Sequence, residues 1–112
     1  MSMDSYGVTY VQSYITEETA DTQLVEAVTS HRFDIDHVSL NIAALTSGYV
    51  RIGFGDNANT QQFFYTETTG EKEIQFQGSG LKGPTGSDIT VAVSGSSVEV
   101  LVQVGYHAVK VI

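Results

Sequence analysis

At 112 residues, 16% of them charged and none of them cysteine, the chain has room for one modest core and excludes both a disulfide framework and thiolate chemistry. Thirteen Asp and Glu against five Lys and Arg give a formal net charge of -8, which sets the field of the folded chain against phosphate backbones and anionic lipid headgroups. Nucleic acid and membranes are therefore not expected partners; no apolar run reaches membrane-spanning length, and MSMDSYGVTY lacks the positive flank and apolar stretch of a secretory signal.

Residues 1–7, MSMDSYG, are small, polar and unpatterned, and are expected to form a flexible N-terminal arm before a single domain over 8–112. VTYVQSYI, 8–15, is the first predicted strand, with Tyr10 and Gln12 alternating against Val11, Ser13 and Ile15. TQLVEAV, 22–28, fits a helical stripe through Ala20, Leu24, Val25, Ala27 and Val28 and equally two strand faces. FDIDHVSLNIA after it decides for strands, because Phe33, Ile35 and His37 alternate with Asp34 and Asp36, and the two segments read as a hairpin across TSHR. The apolar phase changes between Ile35 and Val38, which calls for a bulge near His37.

YVRIGF, 49–54, alternates Tyr49, Arg51 and Gly53 against Val50, Ile52 and Phe54, and GDNANT supplies a turn with candidates for positive φ at Gly55, Asp56 and Asn57. QQFFYT and EIQFQ are two short strands divided by the turn ETTGEK. QGSGLKGPTGSD, 77–88, holds four of the eleven glycines and the one proline, and is expected to be a long loop and the least ordered internal segment. DITVAVSG and VEVLVQVGYHAVKVI are the clearest strands, the second with Val98, Val100, Val102 and Val104 on one face. About eight strands at short, even spacing, with no βαβ alternation and no internal repeat, predict an all-β fold: a two-sheet antiparallel sandwich of the jelly-roll kind.

The densest cluster of titratable groups is HRFDIDH, with His31, Asp34, Asp36 and His37 inside seven residues. Asp34 and Asp36 would share a strand face about 7 Å apart and suit a hard divalent cation. No metal-site spacing is matched, however, and an outward strand face beside a turn ordinarily carries charge, so no metal is expected. GDNANT lacks the acid spacing and terminal glutamate of a calcium loop, and GSGLKGPTG lacks the GK pair and following helix of a phosphate loop. There is no G-x-S-x-G elbow, and His107 is expected to face solvent or an interface. The residues point to no enzyme and no cofactor.

What remains is aromatic surface. Phe63, Phe64 and Tyr65 stand in a row, so a regular strand would turn large rings to both of its faces. Either one ring enters the core and two lie at a sheet edge, or both faces are covered because a neighbouring subunit packs there; the second is preferred. Tyr6, Tyr10, Tyr14, Tyr49 and Tyr106 add to this surface, and the C-terminal AVKVI, with Val109 and Val111, joins MSMDSYG as a candidate arm that orders on a partner. The expected contact residues are Tyr6, Tyr10, Tyr14, Phe63, Phe64, Tyr65, Tyr106, Val109 and Val111. A competing use of Tyr49, Tyr65 and the loops GDNANT and QGSGLKGPTG is the stacking of sugar rings.

ADTQLVEAVTSHRFDIDHVSLNIAALTSGYVRIGFG, 20–55, resembles a pattern in small β-sandwich structural proteins of tailed bacteriophages, and DITVAVSGSSVEVLVQVGY is similar to the second half of that pattern. The resemblance implies a non-enzymatic sandwich carried on the virion, made in the host cytoplasm. Most directly it implies a head decoration protein that associates with itself, as a trimer, and with the phage major capsid protein. Its alternative implication is a receptor- or carbohydrate-binding module of a tail or fibre.

Overall fold

The computed structural model describes residues 8–55, 61–78 and 80–111. Nine strands form among them: β1 (Thr9–Ile15), β2 (Thr19–Val25), β3 (His31–Leu45), β4 (Tyr49–Phe54), β5 (Gln61–Thr66), β6 (Gly70–Gln75), β7 (Leu81–Lys82), β8 (Ile89–Ser94) and β9 (Val98–Lys110). One sheet has the order β1-β9-β3-β6, with β7 also paired to β3, and the other has the order β2-β8-β4-β5. Every pairing is antiparallel. With the two-residue β7 set aside, the pairs nest: β1 with β9, β2 with β8, β3 with β6, β4 with β5. That nesting is one long antiparallel hairpin rolled over on itself, the two-sheet jelly roll expected from the strand count.

The core lies between the sheets and follows the period of two. Val38, Leu40 and Ile42 of β3 meet Val100, Val102 and Val104 of β9 on one inner face, and Val50, Ile52 and Phe54 of β4 meet Ile89, Val91 and Val93 of β8 on the other. All of these are at most 2% exposed, which leaves them no surface for a partner. Strand β8 sits between β2 and β4, and its outward positions Thr90 and Ala92 are small and buried as well.

Three expectations are corrected by the topology. Strands β2 and β3 do not form a hairpin, because β2 pairs with β8 in one sheet and β3 with β9, β6 and β7 in the other. The segment between them crosses from sheet to sheet, entering β3 through Ser30 at φ 63°. The segment 77–88 is not merely a loop: Leu81 and Lys82 pair with Ile35 and Asp34, and Gly83 is buried so closely that a Cβ there would strike the carbonyl of Phe33 and the ring of Phe54. Nor is AVKVI a free arm within the described residues, since Lys110 pairs with His31 and the Val111 amide donates to the Ser30 carbonyl at 2.7 Å. The bulge near His37 is present: Ile35 faces Tyr106 and His37 faces Gly105, leaving Asp36 as the extra residue.

Candidate assembly surface

Alternation along β1 turns Val11, Ser13 and Ile15 toward the interior and leaves Tyr10 and Tyr14 on the outer face, 60% and 59% exposed. Their cross-strand partners on β9 are Gly105 and Leu101, and Leu101 is itself exposed between buried Val100 and Val102. The Tyr10 ring lies across Gly105, where a Cβ would come within 2.6 Å of its Cε1, so one ring face covers bare backbone and the other is open. The Tyr14 hydroxyl donates to Glu99 Oε2 at 2.6 Å. That bond to a carboxylate, with lesser burial and charge effects, raises the Tyr14 pKa above its ordinary value. Both rings therefore lean inward over β9.

The same outer face grows polar toward β6. Ser39, Asn41 and His37 of β3 lie opposite Glu73, Glu71 and Gln75, and His37 Nε2 is 2.8 Å from Glu73 Oε2. A surface depression of about 490 Å³ is lined there by Tyr10, Asp36, His37, Phe76 and Gln103 among others. Its ionisable groups are already engaged. His107 Nδ1 lies 2.8 Å from Asp36 Oδ2 and its Nε2 3.7 Å from Asp34 Oδ2, while Arg32 Nε donates to Asp34 Oδ1 at 2.9 Å. Asp34 is only 3% exposed, so the Arg32 guanidinium and the neighbouring His107 ring are what make its burial tolerable. His107 is thus a half-buried partner of two carboxylates rather than a solvent-facing side chain. No group of three or more His, Asp or Glu that could hold a metal ion occurs among the described residues.

The aromatic run resolves through a bulge. Ile52 faces Phe64 but Gly53 faces Gln62, so Phe63 is an extra residue in β5. The bulge breaks strict alternation, and adjacent rings can both turn toward the interior. Phe64 is 8% exposed in the core, and half-buried Phe63 packs on Phe54 with centroids 5.2 Å apart. Tyr65 faces outward from the β2-β8-β4-β5 sheet, stacked on Tyr49 at 5.7 Å and 23°. Arg51, paired with Tyr65 across the strands, places its guanidinium carbon 5.4 Å from the Tyr49 centroid, and its buried Nε has no hydrogen-bond partner among the described residues. The Tyr65 hydroxyl donates to Glu67 at 2.6 Å, which raises its pKa.

The expected contact residues therefore do not form one patch. Tyr10 and Tyr14 lie on the outer face of one sheet and Tyr65 on the outer face of the other, while Phe64 leaves little surface for a neighbour. Tyr106 is half-buried with its ring edge-on to Phe33 at 5.2 Å, and burial raises its pKa. Val109 and Val111 are half-buried at the end of β9. Tyr6 and residues 56–60 of the GDNANT turn lie outside the described residues. Leu101, Gly105 and Arg51 belong to these faces and were not singled out by sequence; Leu101, standing out of phase in a valine-rich strand, carried a readable signal.

No protein-family model matches the chain, and no curated protein matches it in sequence. A chain of the acidic stable capsid structure of Helicobacter pylori bacteriophage KHP30 is similar with a TM-score of 0.57 at 16% identity, over 94% of this chain and 93% of that one. A chain of the cyanophage Pam1 capsid asymmetric unit is similar at 0.49 and 15% identity, over 89% and 82%. A chain of the virus-like particle of giant freshwater prawn Macrobrachium rosenbergii extra small virus is similar at 0.41 and 17% identity, over 89% and 79%. At these identities the likeness is one of fold.

Proposed function

We propose that this chain is a structural protein of a virion: a decoration protein that binds the outside of a phage head as a homo-oligomer, a trimer by the resemblance above, and stabilises it. The observation that carries the proposal is the end-to-end likeness to a chain of nearly the same length in a phage capsid structure, since the jelly roll matches over 94% of one chain and 93% of the other. A net charge of -8 disfavours a surface that lines packaged nucleic acid and favours the outer side of the shell. The side chains are spent accordingly, with the acids of the β3–β9 region tied to Arg32 and His107 and open tyrosine surface on both sheets. The proposed partners are further copies of the chain and the major capsid protein beneath.

Capsids stripped of the chain and then re-supplied with purified protein test this reading. Binding in cosedimentation, with a capsid melting temperature that rises with added protein, is the expected result, because a ligand that prefers the intact state stabilises it by about 2.7 kcal/mol at one hundred times its Kd. Protein that stays in the supernatant contradicts it.

A second reading, a receptor- or carbohydrate-binding module of a tail or fibre, is favoured by one feature, the stacked Tyr49 and Tyr65 with Arg51 Nε, unpartnered among the described residues, beside them. Flat rings and a guanidinium suit a sugar face. Glycan binding by the purified chain that Tyr65→Ala abolishes, without capsid binding, would select this reading over the first.

A further inference from the structure

Among the described residues the jelly roll leaves β1 at one edge of the first sheet, β6 and the two-residue β7 at its other edge, and β2 and β5 at the edges of the second. An exposed edge is a template for another strand, and folded proteins blunt it with charges, bulges or proline. All but β1 are short or blunted, β7 by its two-residue length and Lys82. Strand β6 carries Glu71, Lys72 and Glu73 in six residues; β2 carries Asp21 and is interrupted between Thr19 and Thr22 and again between Gln23 and Val25; β5 is broken by the bulge at Phe63. Strand β1, TYVQSYI, has no charge, no proline and no break in its seven-residue register. Among the described residues its sole sheet neighbour is β9, and its tyrosines lean over β9 and away from the open edge.

The sequence of β1 also says what fits that edge. Read in either direction from Gln12 it runs through a small or β-branched residue to a tyrosine: Val11 then Tyr10 one way, Ser13 then Tyr14 the other. Antiparallel pairing of two copies about Gln12 sets Gln12 against Gln12, Val11 against Ser13 and Tyr10 against Tyr14, every outward residue facing an outward one. Rings that already lean over β9 leave the edge backbone open to the incoming strand, and the twofold repeats each contact. The lack of charge on β1 matters for a chain at -8, because pairing at β6 or β2 brings acidic groups toward those of the second copy, and the equally uncharged β5 is interrupted by its bulge.

We propose that a second copy of this chain docks on the free edge of β1 by twofold antiparallel strand addition centred on Gln12, joining two five-stranded sheets into one. The contact deepens the self-association in the reading above and rests on it; in a trimeric assembly it links one trimer to the next rather than subunits within a trimer.

The absence of cysteine makes the test direct. Residues opposite each other across an antiparallel pair approach within disulfide reach, roughly 4.5–5.5 Å between Cα atoms. Under mild oxidation Gln12→Cys is expected to cross-link into covalent pairs at least tenfold more than Glu71→Cys on the β6 edge. Gln12→Lys, which sets like charges on the axis, is expected to lose the pairwise step in sedimentation velocity, and an equimolar mixture of Gln12→Lys with Gln12→Glu to regain it. Gln12 is exposed, so the variants retain the fold, which circular dichroism verifies. Equal cross-linking at positions 12 and 71, or unchanged sedimentation of Gln12→Lys, overturns the proposal. Cross-linking through position 12 by a chain that ignores stripped capsids leaves this contact standing and removes the decoration reading; capsid binding with no preference for position 12 does the reverse.

Discussion

Two residues carry the sharpest stability predictions. Gly83 sits in a segment whose composition reads as loop, yet it is buried against the Phe33 carbonyl and the Phe54 ring. Backbone and a buried ring cannot step aside cheaply, so Gly83→Ala is expected to cost about 1–3 kcal/mol and lower the melting temperature by several degrees. Gly105→Ala meets first the exposed Tyr10 ring, which can swing outward, and should melt closer to the parent protein. Tyr106 is held neutral by burial, its pKa raised above the usual value of about 10. A raised pKa leaves stability untouched below the unfolded value; as pH climbs past about 10 the unfolded chain gives up its proton first and the folded state loses ground. Urea midpoints at about pH 8 and about pH 10.5 should therefore converge more closely in Tyr106→Phe than in the parent protein. The exposed Tyr14 and Tyr65 hydroxyls, bonded to Glu99 and Glu67, titrate in the same window, so Tyr14→Phe is the control. Parallel losses in the parent and Tyr106→Phe would refute a buried phenol.

Strand β5 separates core from exposed surface within three residues. In the isolated chain Phe64→Ala is expected to cost about 3–5 kcal/mol, as for a fully packed ring. Tyr65→Ala should cost no more than the 0.5–1.5 kcal/mol of a stacked pair and leave its main effect on assembly. Chemical denaturation of both variants checks this, and equal losses would place Tyr65 in the core as well. Elements of this kind were unequally legible. The bulge in β3 was readable because the apolar phase slips by one between Ile35 and Val38, whereas the bulge at Phe63 was not, because a run of three aromatics has no phase to slip and no glycine marks the site. The β2–β3 hairpin was misread for a different reason. Alternation tells which side of a strand is buried and not which strand lies beside it, and in a jelly roll consecutive segments mostly cross between sheets.

Over the whole molecule, the single all-β sandwich was legible because valine-rich alternation and even turn spacing leave few other ways to bury a core in 112 residues. The distribution of tyrosines was not, because it depends on nested pairing: β1 beside β9 puts Tyr10 and Tyr14 on one outer face, and β5 beside β4 puts Tyr65 on the other. Two separate faces suit a chain that meets more than one neighbour, as a shell component does, better than one that encloses a ligand. Under the proposed function acidity has a use at this scale too, as it would keep a dense repetitive layer soluble and away from nucleic acid. The most direct measurement is the copy number of this chain in purified virions, by quantitative mass spectrometry against the shell protein. Hundreds of copies in fixed ratio to the head lattice are predicted; a handful per particle, as for a tail or fibre component, or none, would contradict a decoration role.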